Sequence, residues 1–142
     1  MFTIDTDSVH EYLFTCSGAT ARSLRHFTGE ESFSFFKPLK GTGDFFYRGA
    51  TVFSAPVLLT MLALGHICNG LFHGLKAISH DLIFWDLQTS SNDFSVCLGQ
   101  LAGAFVMCFA AFLSPIVNFV DLAGSIVKND RPDSLANQSC AI

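Results

Sequence analysis

The chain has 142 residues, half of them hydrophobic and 14% charged, and its formal net charge at pH 7 is −4. Soluble globular domains carry about 25% charged residues, so this composition favours membrane association. A slightly acidic chain without a basic cluster lacks the electrostatic surface that binds nucleic acids, and we set that class of function aside. The length allows one domain, or a long hairpin with a small N-terminal module.

The N-terminal region, residues 1–48, begins with a pattern that predicts two short helices. Asp7 can cap the first helix, which runs to about Cys16, and Gly18 ends it. The second helix covers about 19–27. Because neither helix is long enough to form a core alone, both need support from a membrane surface or from the rest of the chain.

Aromatic and basic residues alternate in the last part of this region, from 29 to 48. Aromatic rings favour the headgroup level of a bilayer and cations favour anionic lipids, so this composition is typical of a segment at a membrane surface. The alternative is a pair of phenylalanine-rich strands in a soluble protein. The expected interfacial anchors are Phe45, Phe46, Tyr47, Arg48 and, later in the chain, Trp85.

Two long segments of the chain contain no charged residue. The first lies between Arg48 and Lys76, and the second lies between Asp93 and Asp121. A helix crosses the hydrocarbon core of a bilayer with about 20 apolar residues, so either segment is long enough. A soluble amphipathic helix would instead expose charged residues along one face at every third or fourth position.

These segments predict an all-α fold built on a membrane-inserted antiparallel helical hairpin, residues 49–128. We expect its two long apolar helices to cover about 51–78 and 94–127, and a wet turn to cover 79–93. The polar segment 129–142 is predicted to be a disordered C-terminal tail.

Each apolar segment contains a pair of glycines spaced four residues apart, a motif that lets two membrane helices approach closely. The pairs are Gly70 with Gly74 and Gly99 with Gly103. In an antiparallel hairpin the residue numbers of facing positions have a constant sum, and Gly70 with Gly103 and Gly74 with Gly99 share that sum. We therefore expect the two backbones to touch at these glycines.

Among the polar residues of the apolar segments, we single out four as candidates for intramembrane chemistry: His66, Asn69 and His73 in the first and Gln100 in the second. Ionisable groups at membrane depth are costly and often mark a proton or ion pathway, so a small His-lined oligomeric pore is one interpretation. In the simpler interpretation, neutral His and Asn side chains hydrogen-bond to the facing helix, at Gln100 or Ser114. Without a plausible set of nucleophile, base and acid, or a metal-ligand spacing, we predict a non-enzymatic protein with no cofactor.

Lysine and arginine are concentrated at the outer ends of the two apolar segments, whereas Lys76 stands alone beside the turn. Because positive loop residues favour the cytoplasmic side, this asymmetry predicts a multi-pass membrane protein with two spans and both termini in the cytoplasm. The basic residues of the outer ends are Lys37, Lys40, Arg48, Lys128 and Arg131.

This layout resembles the bilobed hydrophobic membrane proteins that intracellular bacteria place in host vacuole membranes, the inclusion-membrane-type effectors. The matching features are two closely spaced apolar lobes, at about 51–78 and 94–120, the short turn between them and the basic flanks. They cover about half of the chain. The resemblance implies a non-enzymatic scaffold whose termini recruit cytosolic protein partners.

We therefore predict an integral membrane hairpin that acts as an anchor, a scaffold or a membrane-shaping protein. Its partners would be the lipid bilayer and a protein bound by the termini, and homo-oligomer formation is compatible with this role. The main alternative is a soluble all-α oligomeric interaction module. His66, Asn69, His73 and three glycines favour that alternative because they weaken membrane insertion of the first segment.

Overall fold

The computed structural model describes residues 6–29, 36–84 and 87–129. These residues form four α-helices and one π-helical segment, and no strand lies among them, which confirms the all-α prediction. The predicted tail beyond Asn129 and the predicted anchor Trp85 lie outside the described residues. The elements are α1 Thr6–Thr15, α2 Ala19–Thr28, α3 Thr42–Ser79, the π-helical segment His80–Phe84 and α4 Leu87–Asn129.

Helices α3 and α4 pack against each other along their length as the predicted antiparallel hairpin. They contain 38 and 43 residues, which correspond to about 57 and 65 Å at a rise of about 1.5 Å per residue. Both helices begin earlier than predicted. Because α4 begins at Leu87 and not at about 94, the connection between the helices is shorter than the predicted turn, 79–93. Polar residues of that predicted turn instead face α3: Ser90 Oγ donates to the Ala77 carbonyl oxygen at 3.0 Å.

The early start of α3 has a local electrostatic cause. Asp44 lies in the first turn and forms an ion pair at 3.0 Å with Arg48, one turn further along. Asp44 also accepts a hydrogen bond from the backbone N–H of Lys40 at 3.2 Å. An acidic side chain near a helix N-terminus and an (i, i+4) ion pair both favour helix formation.

Each long helix continues through an internal proline, Pro56 in α3 and Pro115 in α4. A proline removes the hydrogen bond to the carbonyl group four residues earlier. In α4 the hydroxyl of Ser114 donates to that group, the Ala111 carbonyl oxygen, at 3.0 Å. The side chain thus replaces the missing backbone donor.

The two short helices pack against the hairpin and form a small core with it. The turn between them contains Gly18, whose φ of +65° lies in the left-handed region. A Cβ atom at Gly18 would lie 3.0 Å from Asn118 Oδ1 and 3.2 Å from Thr51 Oγ1, so glycine is needed both for its backbone angle and for this close approach. The core residues are Leu59, Leu62, Ala110 and Ala111, with Leu13, Phe14, Leu24 and Met107 packed against them.

Candidate functional site

The uncharged parts of α3 and α4 lie side by side and end at the same two levels. At the open end of the hairpin, Arg48 Nη1 lies 3.5 Å from Asp121 Oδ2. At the closed end, Lys76 Nζ lies 3.2 Å from Asp93 Oδ2. In each helix, the two residues that form these ion pairs are 28 positions apart, or about 42 Å along the helix axis. The parts of α3 and α4 between these two ion pairs therefore form an uncharged helix pair about 42 Å long, which we call the uncharged cylinder.

The surface of this cylinder is inverted relative to a soluble protein. Its interior contains mainly small residues, whereas its outer surface contains large ones. In the most apolar stretch of 18 residues, only 28% of the residues are buried in α3 and 11% in α4. Small interfacial residues with large apolar residues outside are typical of helices packed in lipid. Exposed large residues include Phe53, Val57, Met61, Leu64, Leu71, Leu75, Phe94, Leu98, Phe105, Phe109, Phe112, Ile116 and Phe119, and buried ones include Ala55, Ala63, Gly70, Ala77, Ala104 and Ala110. Both helices are long and apolar enough to cross a membrane.

The helix contact at the predicted glycines is close, but the partners differ from the predicted ones. A Cβ atom at Gly70 would lie 3.3 Å from Gln100 Cβ and 3.5 Å from the Cys97 carbonyl oxygen. A Cβ atom at Gly74 would lie 3.2 Å from Cys97 Sγ, whereas one at Gly99 would meet no described atom within 4 Å. The predicted contact of Gly74 with Gly99 is therefore wrong.

The register explains this difference. Both terminal ion pairs, Arg48 with Asp121 and Lys76 with Asp93, have a residue-number sum of 169, whereas the predicted glycine pairs have 173. Helix α4 is thus displaced by four positions, about one helical turn, from the predicted register. Gly103 consequently faces the ring of His66, whose Nδ1 would lie 3.4 Å from an added Cβ atom.

A chain of hydrogen bonds links three elements near the middle of the cylinder. His66 Nδ1 lies 2.6 Å from Gln100 Oε1, and His66 Nε2 lies 3.2 Å from His10 Nε2. If the amide oxygen of Gln100 accepts, neutral His66 donates from Nδ1 and accepts at Nε2 from His10. The hydrogen bond expected between a histidine of α3 and Gln100 is present, and its extension to α1 could not be seen in the sequence.

The other two predicted polar residues have different surroundings. His73 lies at the closed end of the cylinder, where its Nδ1 is 3.0 Å from Asp93 Oδ1. Asn69 is exposed and lines a cavity of about 660 Å³ between α1 and α3, together with Asp7, His10 and His66. Because His66 and His73 are bonded to groups of their own chain, they are not arranged as a free lumen-facing row.

A buried carboxylate organises the open end of the hairpin. Asp121 is 3% exposed. Its carboxylate accepts hydrogen bonds from Arg22 Nη2 at 2.8 Å and from the backbone N–H of Phe36 at 3.0 Å, and it also forms the ion pair with Arg48. Arg48 also donates to Ser125 Oγ at 2.8 Å. Sequence reasoning identified Asp121 only as the end of an apolar segment, since its partners Arg22 and Phe36 are distant in the chain.

The predicted interfacial anchors separate into two groups. Phe45, Phe46 and Tyr47 are 39%, 71% and 56% exposed on the first turns of α3. Arg48 instead points inward with a side chain only 12% exposed, because Asp44 and Asp121 lie on that side. The interfacial role of Arg48 stays a prediction, and the structure adds that its guanidinium group is held by Asp44 and Asp121.

Comparison of this chain with known protein families, curated proteins and solved structures found no match.

Proposed function

We propose that this chain is an integral membrane hairpin whose α3 and α4 cross the bilayer, and that it acts without catalysis as an anchor or scaffold. The observation that carries the proposal is the uncharged cylinder, about 42 Å long, between the Arg48–Asp121 and Lys76–Asp93 ion pairs. A bilayer is about 40–45 Å thick with its headgroups, and about 30 Å of that is hydrocarbon. The ion pairs would then lie at headgroup level on the two sides.

The outward-facing side chains support the same proposal. Soluble monomers rarely expose a continuous apolar surface larger than a few hundred Å². Here large side chains such as Phe53, Phe105 and Phe112 extend along both helices and are 73–80% exposed. Acyl chains would cover this surface over the whole length of the cylinder, and the small residues inside it allow the close helix contact that membrane hairpins use.

The orientation of the hairpin supports a scaffold role. Both ends of the hairpin lie on the same side, where α2 and the polar network around Asp121 also lie. The excess of lysine and arginine at that side favours the cytoplasm. The parts available to a soluble protein partner would therefore be cytoplasmic, as in the inclusion-membrane-type effectors that the layout resembles.

One observation favours a second candidate, a soluble oligomeric helical interaction module. Helix α1 carries the exposed acidic residues Asp7 and Glu11, and it lies against the middle of α3 rather than at an end of the hairpin. In a soluble module, copies of the chain would cover one another's apolar surfaces.

Alkaline extraction of membranes combined with cysteine accessibility distinguishes the two candidates. In a cysteine-free background, Thr28→Cys reports the open end, Asn92→Cys the closed end and Phe109→Cys the middle of α4; all three positions are exposed in the structure. An inserted hairpin stays in the pellet, and an impermeant maleimide labels Thr28→Cys from the cytoplasmic side, Asn92→Cys from the other side and Phe109→Cys from neither. Recovery of the chain in the supernatant, with Thr28→Cys and Asn92→Cys both labelled from the cytoplasmic side, would reject the membrane proposal in favour of the soluble module.

A further inference from the structure

Helix α1 lies beside the part of α3 that would be at hydrocarbon depth. The contact is made by His10, whose Nε2 lies 3.2 Å from His66 Nε2. His66 is 18 positions from Arg48 and 10 positions from Lys76, so it lies only about 6 Å from the middle of the uncharged cylinder. The hydrocarbon core extends about 15 Å to either side of the bilayer centre, which includes this level.

The residues of α1 do not suit that environment. Asp7 lines the cavity beside His66 and Asn69, and Glu11 lies one turn further along α1 on its exposed surface. Carboxylates in hydrocarbon are strongly disfavoured unless they face a bundle interior or a water-filled cavity, and an exposed Glu11 does neither. With ten residues, α1 is also too short to be a span of its own.

Helix α2 differs from α1 in this respect. Its Arg22 pairs with Asp121 at 2.8 Å, and its first backbone N–H, that of Ala19, donates to Asn118 Oδ1 at 2.8 Å. Both contacts are at the open end of the hairpin, close to headgroup level. Helix α2 can therefore keep its position in a bilayer, and the three-residue turn 16–18 separates it from α1.

We infer that α1 is a detachable strap that covers α3 before membrane insertion and moves to the membrane surface when the hairpin enters the bilayer. This inference rests on the proposed membrane function. The turn at Gly18 is the pivot, because α2 stays bound to Asn118 and Asp121 while α1 leaves. Undocked, α1 can lie at the headgroup level, where Asp7, Glu11 and the side chain at position 12, which are exposed in the docked helix, reach water.

The test compares two exposed positions in a cysteine-free chain reconstituted into phosphatidylcholine–phosphatidylglycerol vesicles. Tyr12→Cys reports α1 and Phe109→Cys reports the middle of α4; the two side chains are 69% and 60% exposed, so neither change disturbs a packed contact. Phe27→Cys in α2, at 84% exposed, serves as the accessible reference. An impermeant maleimide is supplied on both sides of the vesicle membrane.

The inference expects Tyr12→Cys to react as fast as Phe27→Cys and at least about tenfold faster than Phe109→Cys, since hydrocarbon excludes the aqueous reagent. Slow reaction at both Tyr12→Cys and Phe109→Cys would mean that α1 remains on α3 inside the bilayer, which overturns the strap while the membrane hairpin stands. Fast reaction at Phe109→Cys would mean that the hairpin is not inserted, which overturns both proposals.

Discussion

Asn118 of α4 caps a helix that begins 99 residues earlier in the chain. Its Oδ1 accepts the backbone N–H of Ala19 at 2.8 Å, and its Nδ2 donates to Thr20 Oγ1 at 3.1 Å. The residue before α2 is Gly18, which has no side chain to serve as a cap. The buried side-chain amide of Asn118 thus satisfies the first backbone donor of α2 and holds that helix at the open end of the hairpin.

Replacing this amide is expected to loosen α2. Asn118→Ala leaves the N–H of Ala19 without its acceptor in a buried place, which costs about 1–3 kcal/mol. In detergent micelles, trypsin should then cleave the variant within α2, after Arg22 or Arg25, faster than it cleaves the unchanged protein. The matched control Asn92→Ala lies on an exposed turn of α4 and should change stability by less than about 0.5 kcal/mol. Equal cleavage rates for the two variants would contradict the capping role.

Asp121 is expected to be the most sensitive charged residue of the chain. In Asp121→Asn the buried site keeps its shape but Arg22 and Arg48 lose their shared carboxylate. Breaking a buried ion pair costs about 3–5 kcal/mol, and we expect about 2–3 kcal/mol here because Arg48 retains Asp44.

Chemical unfolding in micelles measures this loss, with Asp81→Asn as the control. Asp81 is exposed on the π-helical segment. If Asp121→Asn and Asp81→Asn unfold at the same denaturant concentration, the network does not hold the open end together.

Gly70 and Gly99, which both belong to the predicted glycine pairs, are expected to respond differently to substitution. Gly70→Val forces a branched side chain between Gln100 and Cys97, and overpacking of this kind costs about 1–3 kcal/mol. At Gly99 an added Cβ atom would meet open space outside its own helix, so the hairpin should tolerate Gly99→Val. The comparison is made by thermal unfolding followed by circular dichroism. Equal losses for the two variants would favour the predicted glycine pairing over the observed register.

The sequence was sufficient to predict the hairpin but not the register in which its two helices pack. Long uncharged segments identify two helices because only helices and closed β-barrels satisfy every backbone group in an apolar environment, and two segments are too few to close a barrel. The register depends on pairs such as Arg48 with Asp121, and a constant-sum rule applied to glycines cannot identify these. Eleven glycines offer many coincidental matches.

The polar contacts between distant segments were also beyond sequence reasoning. His10 and His66 have no local pattern that connects them, and neither do Arg22 and Asp121. What the sequence does contain is an isolated Asn118 and an Asp121 one turn apart at the end of an apolar helix. Buried polar groups need partners, so such residues predict that some polar element lies there without saying which one.

The strap predicts that weaker docking of α1 promotes insertion. Leu13 is partly buried against the core cluster of Leu59, Leu62, Ala110 and Ala111, and Leu13→Ala removes part of that contact. For a half-buried leucine we expect the docked state of α1 to lose about 1–2 kcal/mol of stability, which shifts the equilibrium toward undocking roughly 5–30-fold. Insertion from dilute detergent into vesicles should become faster to a similar extent. Tyr12→Ala, on the exposed side of α1, is the control, and the strap is rejected if the two variants insert equally fast.

A single charge on the outer surface separates the membrane hairpin from the soluble module most directly. Phe109 is 60% exposed near the middle of α4, and Phe109→Arg in a spanning helix costs about 2.5–3.5 kcal/mol on the insertion scale. Val127 is similarly exposed, at 61%, but lies beyond Asp121, where Val127→Arg would reach the headgroups at little cost. We expect Phe109→Arg to lower the fraction resistant to alkaline extraction and Val127→Arg to leave it unchanged. In the soluble module, by contrast, no part of the chain resists alkaline extraction, so neither arginine would change the resistant fraction and the two variants would behave alike in this measurement.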